Sequence, residues 1–475
     1  MTILHFLIIT IVLSALVLIF RSRKLNALIS ILYIFAHICL TVFAYRNTNS
    51  IDSVYFKFDH ISILLNGLIS ILLIPTYYHS KLYLKRYINN PKKESYYIAS
   101  MITLFTVISA AYFSEYIVIL WVCIEITSLL VAFLIFHDRY QTALEASWKY
   151  LFISSVGIAI AFMGILFLAA QIAQQEGASL SFTYLMSVAN NMDPFFLKTA
   201  FVFMLTGYSI KLNIFPLFAA TIDAKTVAPA PVNAIISTIL INAGFIAIYR
   251  IYSILSMSDS IAWAQNVFLI TGLISLLIAT VQLFKVKRFK RMFAFSSMEH
   301  MALILLAFSV GKAGYYAAIL HLVFHTLIKS GLFYQFGQIR ALYNSGWFKN
   351  TGSYIKLNPT GAMVFIFGLL SITAIPPSGL FISEFLIFKA LFAEGYFITA
   401  ISALLLLTII IYIFFKNSFQ LLYGKVPENF NQQKAIINKY EAISQFVLFA
   451  LVIYLGFNPP VFFTTLIQSA ITILN

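Results

Sequence analysis

Long apolar stretches alternate with short polar ones along the whole chain of 475 residues. A helix needs about 20 apolar residues to cross a bilayer, so each long stretch predicts one membrane span. The pattern predicts an all-α polytopic membrane protein with about fourteen transmembrane helices. The predicted segments are 3–20, 25–45, 58–79, 95–113, 115–136, 148–172, 197–222, 229–255, 263–285, 291–310, 313–340, 361–394, 397–422 and 441–472.

Composition supports a bilayer environment. The chain is 61% hydrophobic and 10% charged, with a mean hydropathy of +0.92, whereas a soluble domain is about a quarter charged. The net charge of +15 comes from short basic clusters between the apolar stretches, which is typical of cytoplasmic loops and not of a nucleic-acid groove. We therefore expect the lipid bilayer, and no nucleic acid, as a partner.

The basic clusters also predict the orientation. Alternate loops, such as RSRK and KVKRFKR, are basic, and the loops between them, such as SILSMSDSIAW, are nearly free of Lys and Arg. The positive-inside rule then places both termini outside. No small-residue cleavage site follows the first segment, so we expect a retained helix. We expect a multi-pass protein of a bacterial or archaeal cytoplasmic (inner) membrane.

Prolines interrupt the seventh and twelfth segments, at Pro216 in NIFPLF and at Pro376 and Pro377 in AIPPSGLF. Intramembrane polar residues recur at similar offsets in segments 4–8 and 9–13. Five helices per repeat is an odd number, so the second copy is inverted, and paired interruptions indicate a transport site at the repeat interface. The predicted parts are residues 1–94, residues 95–255 (first inverted repeat), residues 256–422 (second inverted repeat), and residues 423–475 (a cytoplasmic loop and the last helix).

One carboxylate, Glu125, lies in the middle of LWVCIEITSLLVAFLIF. A charged group there costs roughly 2.5–3.5 kcal/mol on insertion scales, and such groups are functional by default. Lys149 and Lys211 are its candidate partners, and an acid and a base that influence each other can pass protons. Lys211 precedes Pro216, where backbone freed from the helix survives only in protein or beside a wet cavity. The alternatives are a structural Glu125 satisfied by a lysine, and a Lys211 that snorkels to an interface.

The stretch HLVFHTLIK places His321, His325 and Lys329 on one helical face. Because histidine titrates near neutral pH, this stripe predicts a proton relay, with ordinary polar packing as the alternative. The HxxxH pair has no third ligand nearby and no HExxH signature, so we expect no metal.

Further ionisable residues lie in the tenth and twelfth segments. Glu299 and His300 are adjacent, so we expect one to face the bundle and the other a neighbour. Glu384, beyond the second interruption, is the predicted acid of the second half, and Lys389 is either its companion or an interfacial lysine. Cys39 and Cys123 form no CxxC pattern, and haem, flavin and phosphate-loop motifs are absent. We expect no cofactor and no catalytic centre in this chain.

These stretches resemble the antiporter-like proton-pumping subunits of respiratory complex I, Mrp-type cation/proton antiporters and energy-converting hydrogenases. The resemblance covers roughly residues 95 to 420. WVCIEITSLLVAFLI resembles the glutamate-bearing helix, GYSIKLNIFPLFAATIDAKTVAPAPVNAII the lysine-bearing broken helix, and HLVFHTLIKSGLFYQ the histidine helix. RMFAFSSMEHMALI and IPPSGLFISEFLIFKALF are most similar to the hydrogenase-4 component F type.

The resemblance implies that Glu125 and Lys211 form the first-half pair, and that Glu384 ends the channel. It implies relay roles for Lys149, His321 and His325, joined on the same stripe by Lys329. Many relatives carry lysine where this chain has Asn242, which must then act through water, and histidine where it has Lys225. The supporting residues are Asn242, Glu299, His300, Lys389 and Asp223.

We therefore expect a proton-translocating subunit of a respiratory or hydrogenase-type redox complex, with other membrane subunits as partners and protons or sodium ions as cargo. The alternatives are a subunit of an Mrp-type cation/proton antiporter and the membrane subunit of an inorganic-carbon uptake complex. The chain ends soon after the fourteenth segment, so we do not expect the lateral helix of the most distal complex I subunit.

Overall fold

The computed structural model is nearly all helical, and it describes residues 1–88, 90–138, 140–426, 430, 437–438 and 440–474. The loop predicted in part 423–475 lies largely outside these residues. The helices up to residue 256 are α1 (Ile3–Phe20), α2 (Arg23–Arg46), α3 (His60–Tyr87), α4 (Pro91–Phe113), α5 (Ile117–Ile135), α6 (Gln141–Ile172), α7 (Phe182–Val188), α8 (Pro194–Leu212), α9 (Ala219–Val227), α10 (Ala230–Ser237) and α11 (Ile239–Ser256). The remaining helices are α12 (Ile261–Leu283), α13 (Phe289–Ser309), α14 (Lys312–Tyr343), α15 (Tyr354–Leu357), α16 (Pro359–Ile372), α17 (Gly379–Ala393), α18 (Phe397–Tyr423), α19 (Glu441–Phe457) and α20 (Val461–Ile471).

Smaller elements connect these helices. An antiparallel hairpin that the apolar pattern did not predict, β1 (Ile51–Ser53) and β2 (Phe56–Lys57), joins α2 to α3. Single 3₁₀ turns are formed by Phe136–Asp138, Ala189–Asn191, Phe348–Asn350 and Thr472–Leu474.

In the described part of the chain, twelve spans are long and apolar enough to cross a membrane, with α10 and α11 counted together. The pair of α19 and the segment from Val461 to Leu474 is bent by 72° and makes a thirteenth if it is one span. The twelfth predicted segment is divided into α16 and α17, of 14 and 15 residues. Each of these is shorter than the roughly 20 residues that one crossing needs.

The interruption of the seventh predicted segment lies between α8 and α9, with Pro216 between them. Asn213 takes the left-handed conformation (φ 63°) that ends α8. The carbonyl of Ile210, which loses its helical partner there, accepts a hydrogen bond of 2.7 Å from the Thr221 hydroxyl. A side chain of α9 thus satisfies backbone that would otherwise be costly at membrane depth.

The interruption of the twelfth segment lies between α16 and α17 and contains Pro376 and Pro377. Here one hydroxyl serves both ends of the break. Ser378 Oγ donates to the carbonyl of Ser371 at 3.0 Å and accepts from the backbone N–H of Leu380 at 3.2 Å. The Ser371 carbonyl, which also accepts from the Ala374 N–H at 3.2 Å, thus gains a second donor, and the same side chain caps α17.

A third interruption, at Thr238 between α10 and α11, was not predicted. Thr238 is not helical (φ −133°, ψ −83°), and its hydroxyl donates to the carbonyl of Ala234 at 2.7 Å. The sequence STILINAG has no proline or glycine at this position, so the usual signals of a break are absent.

The chain forms two compact units. The first unit comprises Met1–Ala228, Ile239–Asn266 and Phe462–Asn475, and the second comprises Pro229–Thr238 and Val267–Val461. In the first unit, α6 and α8 touch through glycines: a Cβ on Gly207 would lie 2.4 Å from the carbonyl oxygen of Gly157. Small residues such as these glycines permit a close backbone approach between membrane helices. In the second unit, α14 is central and packs against α10, α13, α16, α17 and α19.

Candidate functional site

Lys211 lies in the last turn of α8 and is buried in the first unit. Its Nζ donates to the Ser128 hydroxyl at 2.8 Å and to the Tyr150 hydroxyl at 3.0 Å. The same Nζ lies 5.1 Å from the centre of the Tyr150 ring, a cation–π distance. The lysine thus reaches α5 and α6, and it does not extend to an interface as the snorkelling alternative required.

Glu125 lies on α5, half-buried, one helical turn before Ser128. Its carboxylate accepts from Ser155 Oγ at 2.8 Å and from Ser128 Oγ at 3.3 Å. Because residues i and i+3 share a helical face, Ser128 can contact both Glu125 and a residue of the facing helix. One hydroxyl therefore joins Glu125 to Lys211, and we call these three residues the Glu125–Ser128–Lys211 link.

Two glycines set the position of Lys211. Gly207, one turn earlier on α8, lies against Gly157 of α6 as described above. On the other side, a Cβ on Gly244 of α11 would lie 2.8 Å from Lys211 Cβ and 2.7 Å from the backbone nitrogen of Leu212. The backbone of α8 is thus held from two sides, and this close packing directs the lysine toward Ser128.

Lys149 is not part of this cluster. Helix α6 begins at Gln141, whereas the sequence predicted a start at 148, so Lys149 lies inside the helix. Its side chain is exposed and its Nζ contacts Glu145 Oε1 at 2.5 Å. Successive helical residues are rotated by about 100°, so Tyr150 faces Lys211 where Lys149 does not. Sequence reasoning selected the charged neighbour and missed the tyrosine.

The second unit contains a histidine cluster. His300 Nδ1 on α13 and His321 Nε2 on α14 are 3.1 Å apart, and His321 Nδ1 is 3.0 Å from Ser383 Oγ on α17. The His325 ring lies 5.3 Å from the His300 ring, and all three histidines are fully buried. The predicted stripe of α14 therefore faces α13. Ser383, which no sequence signal singled out, ties the cluster to α17.

The other predicted residues of the second unit are distributed around this cluster. Lys329 Nζ donates to the carbonyl of Phe293 at 2.6 Å. Glu384 Oε1 lies 3.9 Å from His300 Nδ1. Glu299 is buried like His300, so both adjacent residues lie inside the unit. Lys389 is exposed.

Two supporting residues of the first unit differ in burial. Asn242 on α11 is fully buried, two residues before the glycine that contacts Lys211. Asp223 on α9 is half-buried, and Lys225, which stands where relatives have histidine, is fully buried. Asn242 therefore lies less than one helical turn from Gly244, the glycine of α11 that packs against Lys211.

Three residues that the sequence analysis did not group form a candidate metal-ligand set. His300, His321 and Glu384 each offer one ligand atom, and these atoms lie within 4.8 Å of one another. From the sequence, the candidate ligand pair was His321 and His325, with no third ligand nearby. In the structure the candidate ligands beside His321 are His300 and Glu384. A structural zinc site takes four ligands, and this set supplies three, as an open site does. The short nitrogen–nitrogen contact is equally suited to passing a proton.

Sequence reasoning also missed a buried ion pair in the first unit. Arg250 on α11 pairs with Asp59, which caps α3, and its Nη2 donates to Ser62 Oγ at 3.0 Å. Both side chains are almost completely buried. An arginine inside a predicted span is itself a signal, because such a charge is retained only with a partner.

The chain is similar to known membrane proteins in sequence and in fold. Residues 114–411 match the family described as NADH:quinone oxidoreductase/Mrp antiporter, TM. The chain is 34% identical over 294 residues to the protein named hydrogenase-4 component F homolog of Methylacidiphilum infernorum (isolate V4). That match covers 61% of this chain and 62% of the relative, so it spans less than two thirds of the relative's length.

Two solved structures share the fold. A chain of the membrane-bound sulfane sulfur reductase, an archaeal respiratory membrane complex, superposes with a TM-score of 0.86 at 18% identity, covering 99% of this chain and 97% of that one. A chain of the Mrp complex from Dietzia sp. DQ12-45-1b superposes with a TM-score of 0.84 at 15% identity, covering 100% and 97%. Because the family match covers more than half of the chain, this multi-pass membrane protein belongs to the NADH:quinone oxidoreductase/Mrp antiporter transmembrane family.

Proposed function

We propose that the chain is a proton-translocating membrane subunit of a respiratory or hydrogenase-type redox complex. The observation that carries this proposal is the Glu125–Ser128–Lys211 link, in which one hydroxyl joins a carboxylate to a buried amine. The family membership and the similarity to a hydrogenase-4 component F homolog support it. In this reading the redox chemistry belongs to partner subunits, and this chain moves the protons.

The link has the chemistry that a proton path needs. When Lys211 carries a proton, it donates to Ser128, whose hydroxyl can donate in turn to Glu125. An acid and a base joined in this way can pass a proton along the hydrogen bonds. An approaching charge on either side can then move a proton from one to the other.

In the second unit we propose that His300, His321 and His325 pass protons toward Glu384, which ends the path. The 3.1 Å contact between two imidazole nitrogens supports proton transfer between His300 and His321, since one ring can donate while the other accepts, and Glu384 lies 3.9 Å from His300. Ser383 holds the other nitrogen of His321 and so orients the ring. Lys329, Glu299, Asn242 and Asp223 are supporting residues in this proposal, and Tyr150 replaces Lys149 beside Lys211.

The finer architecture is part of the same proposal. We propose fourteen spans, counting α16 with α17 and α19 with α20 as one each, and two inverted repeats over segments 4–8 and 9–13. The repeats would occupy residues 95–255 and 256–422, flanked by residues 1–94 and 423–475. The basic loops support an orientation with both termini outside a bacterial or archaeal cytoplasmic membrane.

The test uses the protein purified in mild detergent with whatever subunits accompany it, reconstituted into liposomes. A potassium diffusion potential drives proton uptake, which a trapped pH indicator reports. We expect Glu125→Gln and Lys211→Ala each to lower uptake by about 100-fold at equal protein level, as for loss of a positioned acid or base. Near-wild-type uptake by either variant would overturn the assignment.

The accompanying subunits decide between the three related roles. Redox subunits support the proposal. A set of small membrane subunits with sodium-dependent uptake would replace it with an Mrp-type antiporter subunit, and a large zinc protein would replace it with an inorganic-carbon uptake complex.

A further inference from the structure

A cavity of about 470 Å³ lies between α2, α3 and α4 in the first unit, away from the Glu125–Ser128–Lys211 link. Its volume falls within the range of roughly 300–1,000 Å³ that ligand sites occupy. Its long axis follows the helices: Arg23 and Ile34, both lining residues, are eleven positions apart on α2, or about 16 Å. The cavity therefore extends from the end of the helices toward the middle of the membrane.

The two ends of the cavity differ in chemistry. Ile31, Ile34 and Ile74 line the deeper part, and Ile31 and Ile74 are exposed apolar side chains. Arg23, Lys81 and Lys85 line the outer end, where Glu94 pairs with Arg23 at 2.7 Å. Because the acid neutralises the arginine, the two lysines leave the outer end positive. This end lies among the basic loops that predict the cytoplasmic face.

Asn26 and Tyr77 line the region between these ends. Both side chains are more than nine-tenths buried, and Asn26 Oδ1 and the Tyr77 hydroxyl are closed off from the cavity, so neither atom is available to an occupant. The Asn26 amide nitrogen donates to Ser95 Oγ at 3.1 Å. The selective contacts of the cavity are therefore the lysines at its outer end and the isoleucines of its deeper part.

From these two ends we infer that the cavity binds one anionic glycerophospholipid. Its phosphate lies at Lys81 and Lys85, and one acyl chain follows the isoleucines. A free anion would leave the apolar part unfilled, and an apolar helix of a partner would leave the lysines unmatched. Basic pockets at the cytoplasmic ends of membrane helices bind anionic headgroups in this way.

The test measures lipid bound to the purified protein, with its accompanying subunits, by native mass spectrometry. The probes are phosphatidylglycerol and phosphatidylcholine of the same acyl composition, titrated into delipidated protein. The variant is Lys81→Ala/Lys85→Ala. The matched control is Lys24→Ala/Lys92→Ala, which removes two exposed lysines from the same end of the helices without touching the cavity lining.

We expect the wild type to prefer phosphatidylglycerol and the lining variant to bind it about 30-fold more weakly, from the loss of two headgroup contacts. The control should stay within about threefold of wild type, since its lysines act only through a screened surface potential. Equal losses in the two variants, or equal binding of both lipids, would overturn the inference, because the site would then not distinguish an anionic headgroup from a neutral one.

A further variant keeps the test decisive if the double substitution impairs folding. Ala27→Phe fills the cavity while all charges remain. It should weaken phosphatidylglycerol binding. A photocrosslinker at Ile31 should label lipid; labelling of an accompanying polypeptide instead would show that the cavity is a subunit contact and would overturn the proposal.

Discussion

Ser128 and Lys211 are joined by a hydrogen bond of 2.8 Å across 83 residues of sequence. The serine lies one turn from Glu125 on α5, and the lysine lies at the broken end of α8. The Ser128 hydroxyl thus connects the acid Glu125 to the base Lys211. Its removal leaves both ionisable groups in the chain and breaks only the connection between them.

Ser128→Ala should therefore slow proton uptake in the liposome assay by about tenfold, since a hydrogen bond to a charged group is worth about 1.5–3 kcal/mol. Ser128→Thr keeps the hydroxyl and should retain most of the rate. The control is Thr127→Val, because the Thr127 hydroxyl bonds only the Ile124 carbonyl of its own helix, at 2.6 Å. Equal losses at 127 and 128 would mean that the hydroxyl of Ser128 is merely structural.

A second prediction separates two adjacent residues of α6. Tyr150→Phe removes a hydroxyl that accepts from Lys211 at 3.0 Å, and it should lower uptake by about tenfold. Lys149→Gln removes an exposed charge that pairs with Glu145, and such surface pairs contribute about 0–1 kcal/mol. Its uptake should remain close to wild type. The reverse order would restore Lys149 to the path that the family resemblance implied.

The third prediction concerns the packing that directs Lys211. In Gly244→Ala the new methyl group would lie 2.7 Å from the backbone nitrogen of Leu212, so α8 must shift. We expect a loss of about 1–3 kcal/mol in stability and a lower uptake rate per assembled protein. Gly67→Ala is the matched control, since a Cβ there meets no atom within 4 Å, and it should be neutral or stabilising. Thermal unfolding and uptake, measured on the same samples, check both. Unchanged uptake in Gly244→Ala would contradict the packing argument.

The fourth prediction compares two histidines. His325→Gln should slow uptake at normal protein level, because the ring lies within the buried histidine cluster of the second unit. His137, in the 3₁₀ turn Phe136–Asp138, is buried against Tyr97 and within hydrogen-bond distance of the Tyr83 hydroxyl and the Lys93 carbonyl. His137→Gln should therefore lower the amount of assembled protein and leave uptake per assembled protein near wild type. Equal rates per assembled protein would show that the cluster is structural.

Some properties of this protein follow from the sequence by itself. A span is recognised by its length and apolarity, which are properties of a continuous stretch, and twelve predicted segments meet that test in the structure. The family resemblance is confirmed, because it depends on motifs that are themselves continuous. The stripe of His321 and His325 could also be read, since one helix face repeats every three to four residues. In the structure both histidines of this stripe lie beside His300 of α13.

Tertiary structure decided which side chains meet. Whether Lys149 or Tyr150 reaches Lys211 depends on which face of α6 packs against α8, because successive helical residues are rotated by about 100°. The contact between Gly157 and Gly207 holds one face of α6 close to α8. The pairing of His300 with His321 requires two helices side by side. The break at Thr238 has no proline or glycine to announce it. Apolar pattern determines that a helix lies in the membrane, but its rotation and its neighbours arise from packing, which no single stretch of sequence encodes.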